Sequence, residues 1–231
     1  MLCLIADIKT SVPATGGMAP RCGAYLTPGS ESDAAIVIDD RAYRYECWPT
    51  LSRDDAAYME SGFQFYTALH DFGGLMLHAS ATVIDGQAYL FAGQCGIGKS
   101  THAALLQSRY PQAALINDDK PALRLTEDGW MAYGTPWSGK NGININARHP
   151  VKAICLLTTR RDRNYIRPAD PVHAIAGILS CTSGRGSAEN VKKLAPLIDR
   201  LIRDIPIYEM DSLADADAAE LAYNTMKTGR P

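Results

Sequence analysis

The sequence has no basic excess: 23 Lys and Arg stand against 25 Asp and Glu, for a formal charge of −2. A protein that grips nucleic acid by bulk electrostatics needs a positive face to neutralise phosphates, so nucleic acid is excluded as a partner. No apolar run reaches the length of a membrane span and the mean hydropathy is −0.14, so no membrane partner is expected either. No basic region precedes the short apolar patch at the start, which argues against a signal peptide. The six cysteines (Cys3, Cys22, Cys47, Cys95, Cys155, Cys181) form no C-x-x-C pair, which sets aside a zinc site or a disulfide framework and predicts reduced thiols in a cytoplasmic protein. Repeats and low-complexity tracts are absent too, so neither a solenoid nor a disordered scaffold is expected. What remains is an ordinary globular composition, 46% hydrophobic and 21% charged over 231 residues, enough to bury a core without staples. A homo-oligomer is left open.

Composition shifts near residue 72. Before it, AAIVI (34–38) and AYRYECW (42–48) read as short strands between Gly, Pro and Asp clusters. From Ser52 to Asp71 a cap and the spacing of Ala57, Phe63, Phe65 and Leu69 predict one helix, which stops at Phe72-Gly73-Gly74. ATVI (81–84) and AYLFA (88–92) are strands joined at Asp85-Gly86-Gln87, a hairpin signal. KSTHAALLQSRY, with Ala103, Leu106 and Tyr110 at helical spacing, predicts a helix, and AALIN (113–117) a buried strand. PALRLTEDGWMAYG (121–134) reads as a second hairpin turning at Asp128-Gly129, and VKAICLLTT (151–159) as a central strand. Val191, Leu194, Leu197, Ile198, Leu201 and Ile202 form the apolar stripe of a late helix. The fold class is α/β, divided into a β-rich region with one helix (1–72) and a larger domain (73–231).

Residues 93–100 read GQCGIGKS, a full match to G-x-x-x-x-G-K-[ST], the P-loop or Walker A pattern. Backbone N–H groups of such a loop cradle phosphates, the lysine reaches the β- and γ-phosphates, and the hydroxyl ligates Mg²⁺. A strand before it and a helix after it supply the required context. The expected nucleotide contacts are Gly93, Gln94, Cys95, Gly96, Ile97, Gly98, Lys99, Ser100 and Thr101, with Cys95 contributing its backbone only. Asn117-Asp118-Asp119-Lys120 follows AALIN directly. Paired carboxylates beside a phosphate loop suit metal and proton work: one holds Mg²⁺ and the other takes a proton from an attacking hydroxyl. An isolated Asp-Asp turn would read as a solvated turn or helix cap. His78 opens the strand that pairs with AYLFA; a lone histidine there is more often a satisfied core or surface residue than a catalytic one. The loop Gly134-Thr135-Pro136-Trp137-Ser138-Gly139-Lys140 suits a substrate lid, with Trp137, Ser138 and Lys140 as contacts, or else an ordinary hairpin exit. Of the candidate transition-state cations, Arg185 in a glycine-rich loop ranks above the Arg160-Arg161-Asp162-Arg163 run, which reads as a solvated turn.

The ordered set LHASATVIDGQAYLFAGQCGIGKS followed by INDDKPAL resembles the catalytic core of HPr kinase/phosphorylase, and the nucleotide core of ATP-type phosphoenolpyruvate carboxykinase, which shares its fold. The resemblance is good over about residues 75–125 and looser to about 210. It implies that His78 lies near the γ-phosphate and metal, and that Lys99 and Ser100 bind phosphate and Mg²⁺. By the same resemblance Asp118 is the general base and Asp119 the metal-associated carboxylate. The GTPWSGK loop looks like that of smaller HPr-kinase-like proteins, including serine kinases that modify peptides. Ala79 and Thr101 stand where HPr kinases usually carry Gly and Glu, and the oxaloacetate-binding positions of the carboxykinases have no counterpart. The function expected is therefore ATP- and Mg²⁺-dependent transfer of the γ-phosphoryl to a hydroxyl, with peptide or protein serine ahead of a small molecule. A nucleotide-binding regulatory module and a small-molecule or carboxykinase-type phosphotransferase are the alternatives.

Overall fold

A computed structural model describes residues 1–15, 17–38, 50–160, 162–183 and 186–229. Its centre is set by alternation along two strands, β5 (Ala79–Ile84) and β6 (Gln87–Ala92), paired antiparallel with Ile84 opposite Gln87. The two residues between them, Asp85 and Gly86, have φ of 52° and 77°, as a type I′ hairpin turn requires. Along β6, Ala88, Leu90 and Ala92 face one core cluster while Tyr89 and Phe91 face another, so both faces of the sheet are covered. The predicted hairpin and its turn are both present.

The long strand β10 (Arg148–Leu157) joins two parts of one nine-stranded sheet. Its first residues pair antiparallel with β9 (Gly129–Tyr133), which forms a hairpin with β8 (Ala122–Thr126), and β8 pairs with β4 (Gly74–Met76). Its later residues run parallel to β6 on one side and to β12 (Ile207–Asp211) on the other, with β11 (Tyr165–Pro168) beyond β12. The sheet closes on the other side with β7 (Ala114–Asn117) against β5. The apolar run 151–159 is thus the central strand its composition predicts. The second hairpin turns on Glu127 and Asp128, with Gly129 (φ 94°) opening β9, one residue earlier than expected.

Helices α2 (Lys99–Arg109) and α5 (Ala216–Thr228) cover one face of this sheet through Leu106, Ala218, Ala222 and Met226. Helices α3 (Pro171–Ser180) and α4 (Ala188–Asp204) cover the other through Ile178, Leu194, Ile198 and Leu201. Val191, at the start of the expected α4 stripe, is exposed.

Before residue 72, β1 (Leu2–Ile5), β2 (Ile8–Ser11) and the two-residue β3 (Ala34–Ala35) form a small sheet, followed by α1 (Arg53–Ala68). Ser52 caps α1 by accepting from the Asp55 N–H at 3.1 Å, and the chain turns away at Gly73, whose φ is 71°. Phe65 and Leu69 are buried as the spacing predicts, whereas Phe63 points outward. The strand expected over 34–38 stops after Ala35, because Val37 leaves the sheet to exchange hydrogen bonds with the Gln64 side chain. The strand expected over 42–48 lies outside the described residues. Ile5, Ile8, Met18 and Tyr25 share one core cluster with Phe65, Tyr66, Met76, Tyr133 and Trp137. The N-terminal elements therefore pack on the β4–β8–β9 part of the sheet.

Candidate functional site

Strand β6 ends at Ala92, and the next six residues turn into α2 through three glycines with positive φ: Gly93 (155°), Gly96 (78°) and Gly98 (118°). A Cβ on Gly93 would sit 2.8 Å from the Ile97 side chain, so that position needs glycine on spatial grounds as well. No side chain caps α2. Its first-turn N–H groups and the positive end of its dipole therefore face the loop, an arrangement suited to anions. Lys99 is only 6% exposed and donates to the Gly93 and Gln94 carbonyls at 3.0 and 3.1 Å. Burial pushes the pKa of its ammonium down, against the pull of the Asp119 charge. Ser80 on β5 donates to the Lys99 carbonyl at 3.1 Å and so fixes the helix start. His102, one turn on, sits between the Gly98 carbonyl and the Ser212 hydroxyl, 2.9 Å from each. Since a carbonyl only accepts, its Nδ1 donates. Cys95 within the loop and Ser100 and Thr101 in the first turn of α2 are exposed.

The sheet brings the other candidates to the same edge. Strand β5 starts where β6 ends, and β7, antiparallel to β5, ends there too. His78 precedes β5; its N–H donates to the Cys181 carbonyl at 2.7 Å and its carbonyl accepts from the Gly93 N–H at 3.3 Å. Its backbone thus ties the end of α3 to the glycine-rich loop. The His78 Nε2 donates to the Asp119 Oδ1 at 2.9 Å, and Lys120 Nζ bonds the other carboxylate oxygen. Burial pushes the Asp119 carboxyl up, but the His78 hydrogen bond and the Lys120 charge outweigh it and hold the group well below the usual carboxylate range.

Asp118 is placed differently. It is 2% exposed, and its carboxylate accepts from the Gly139 N–H at 2.6 Å and the Asn141 N–H at 3.2 Å. It fastens the 134–141 loop over the strand end. Two residues that the sequence reading did not single out complete the fastening. Asn117 accepts from the Asp119 and Lys120 N–H groups while donating to the Thr135 and Trp137 carbonyls. Tyr58 on α1 accepts from the Ser138 N–H at 2.8 Å. An Asn before an Asp pair was visible as a turn former, but a tyrosine 80 residues from its partner carries no local signal.

Trp137, expected to meet substrate, is corrected by its surroundings. The ring is 1% exposed, stacks on Phe65 at 4.9 Å and donates to the Ser61 hydroxyl at 3.0 Å, so it is core. Ser138 is also buried, whereas Lys140 is exposed on the same loop. Arg185 lies outside the described residues, as does Arg161. Arg163 faces Asp211 at 3.7 Å and stacks over Tyr165, as a solvated charged turn would.

No protein-family model matches this chain, and no curated protein does. Among solved structures, the Hpr(Ser) kinase/phosphatase from Coxiella burnetii matches at 17% identity over 66% of this chain and 96% of its own, with a TM-score of 0.39. A TM-score that low leaves the functional reading to the geometry of this chain's own residues. Among the described residues, no helix is long and apolar enough to cross a membrane. No group of three or more His, Cys, Asp or Glu side chains gathers there to hold a metal ion.

Proposed function

We propose that this chain is an ATP- and Mg²⁺-dependent phosphotransferase that moves the γ-phosphoryl group to a hydroxyl, with serine of a peptide or protein as the acceptor class. The observation that carries the proposal is the meeting, at one sheet edge, of the glycine-rich loop, the α2 N-terminus, Lys99 and the His78–Asp119 pair. A turn built only for structure needs none of the last three.

The donor set fits Mg²⁺. That ion prefers hard oxygens and is usually held by one or two side chains plus substrate phosphates, not by an all-protein cage. Ser100 and Asp119 would hold it, and when bound it would neutralise charge on the phosphates. The loop amides and Lys99 would hold the triphosphate. Asp119 is already engaged by His78 and Lys120, so the proton-accepting role falls to Asp118. Each Asp118 oxygen still has a second lone-pair direction beyond its bond to the loop. His78 orients Asp119.

The test is transfer of labelled γ-phosphate to a serine-containing peptide library. Wild type is expected to label peptides, with Asp118→Asn reduced on the order of 10²–10⁴-fold, the range for a lost general base, and Mg·ATP binding retained. The burial of Asp118 favours a second reading, a nucleotide-binding module without transfer. Mg·ATP binding with no labelling of any peptide, free serine or other hydroxyl would select it.

A further inference from the structure

Lys120 has no part in the reaction outlined above, yet it lies at the centre of the site. Its backbone is fixed from both sides: its N–H donates to Asn117 Oδ1 at 2.6 Å, and its carbonyl accepts from the Tyr66 and Thr135 hydroxyls, each at 2.8 Å. Its side chain is 24% exposed, and its ammonium bonds Asp119 Oδ2 while His78 takes Oδ1. Both oxygens of the candidate metal carboxylate are therefore already met by donors from the protein. A divalent ion reaching a remaining lone pair of Asp119 would lie beside the Lys120 ammonium, and the two cations repel each other unless the ammonium moves away. His78 is held by its backbone bonds to Cys181 and Gly93, whereas the Lys120 ammonium ends a four-carbon stem and is free to swing away.

We infer that Lys120 is a tethered cation that occupies Asp119 until a metal–nucleotide complex arrives, so that the site rejects the bare divalent ion and loads metal together with nucleotide. This rests on the phosphotransferase reading for its purpose but not for its chemistry. A bare divalent ion must either sit against the Lys120 ammonium or push it aside, and it gains in return only Asp119 and a neutral hydroxyl. A metal brought with phosphates also gains the loop amides and Lys99, and it gives the displaced ammonium an anion nearby. Lys99 already feels the Lys120 charge, so the two ammonium groups lie within electrostatic reach of each other. That closeness also discourages a further free cation.

The test is titration of nucleotide-free protein with Mn²⁺, following the signal of free Mn²⁺ by electron paramagnetic resonance. Lys120→Met is expected to bind Mn²⁺ about fivefold more tightly than wild type, the factor set by losing one partly screened ion pair. Lys120→Arg should bind like wild type, and Lys120→Met with Asp119→Asn should lose the gain. Equal Mn²⁺ affinity in wild type and Lys120→Met would overturn the inference, as would a gain that persists without Asp119. If Lys120→Met does not fold, Lys120→Gln removes the same charge and the same outcomes decide. Thermal stabilisation of wild type by Mg·ATP is measured beside it. Its absence would count against the phosphotransferase reading alone, whereas stabilisation with no gain in Lys120→Met would count against Lys120 alone.

Discussion

His78 and Asp119 show how one residue sets the chemistry of another. The imidazole holds one oxygen of a carboxylate that burial alone would push toward its neutral form, and so helps keep it charged where a metal is expected. Replacing His78 by Ala should lower phosphoryl transfer about 10–100-fold, the usual cost of losing an orienting partner, while Mg·ATP affinity changes little. On the proposed reading, affinity would come instead from the loop amides and Lys99. Steady-state turnover and calorimetric binding measured on the same preparation separate the two. A lower melting temperature with normal specific activity would make His78 a packing residue and leave the carboxylates to carry the reaction.

At the scale of the element, the 134–141 loop is held from below by side chains distant in sequence. Phe65, Tyr66 and Ser61 of α1 meet the Trp137 ring, while Asn117 and Asp118 bond the loop backbone. Trp137→Ala should cost about 3–5 kcal/mol of stability by chemical denaturation, the range for emptying a buried aromatic site. A loss under about 1 kcal/mol would mean the ring is not packed as described. Gly139→Ala asks for less: its Cβ would lie 3.0 Å from Asp118 Oδ2 and 3.1 Å from Asp119 Cβ. It is expected to impair transfer more than folding, seen as lower turnover at a melting temperature near that of wild type.

The glycine-rich loop and the Asp85-Gly86 turn were legible in the sequence because each depends on local backbone chemistry that only a few residue types supply. The central strand was legible too, since a strand covered on both faces has to be apolar throughout. Trp137 was misread because a loop tryptophan looks the same whether it faces solvent or a helix, and Phe65 decides which from far along the chain. Lys120 was in plain view beside Asp119, but adjacency alone does not say that the two side chains meet.

For the whole molecule, pH should act through histidines buried as neutral groups. His70, after α1, is buried, and neither ring nitrogen has a hydrogen-bond partner among the described residues. Burial pushes its pKa below the usual value; Asp71 pulls it back up and Lys193 adds to the fall. The unfolded chain takes up that proton near pH 6.5 and the folded chain only at lower pH, so stability falls as the pH drops from about 6.5 toward the folded value. His173 works in the opposite sense, since Asp170 raises its pKa. The difference between His70→Leu and wild type is therefore the quantity to read. The unfolding free energy of the variant should fall less than that of wild type between about pH 7 and about pH 5; parallel curves would remove His70 from the account.

The strands of the sheet converge at one edge around Lys99, the nucleotide site of the proposed reaction. Calorimetric titration of Mg·ATP into wild type and Lys99→Met tests this most directly. Wild type should bind saturably, and the variant at least about tenfold more weakly for loss of a charged hydrogen bond to phosphate. Equal affinity in two folded proteins would contradict it, because nucleotide would then be binding somewhere other than the 93–100 loop.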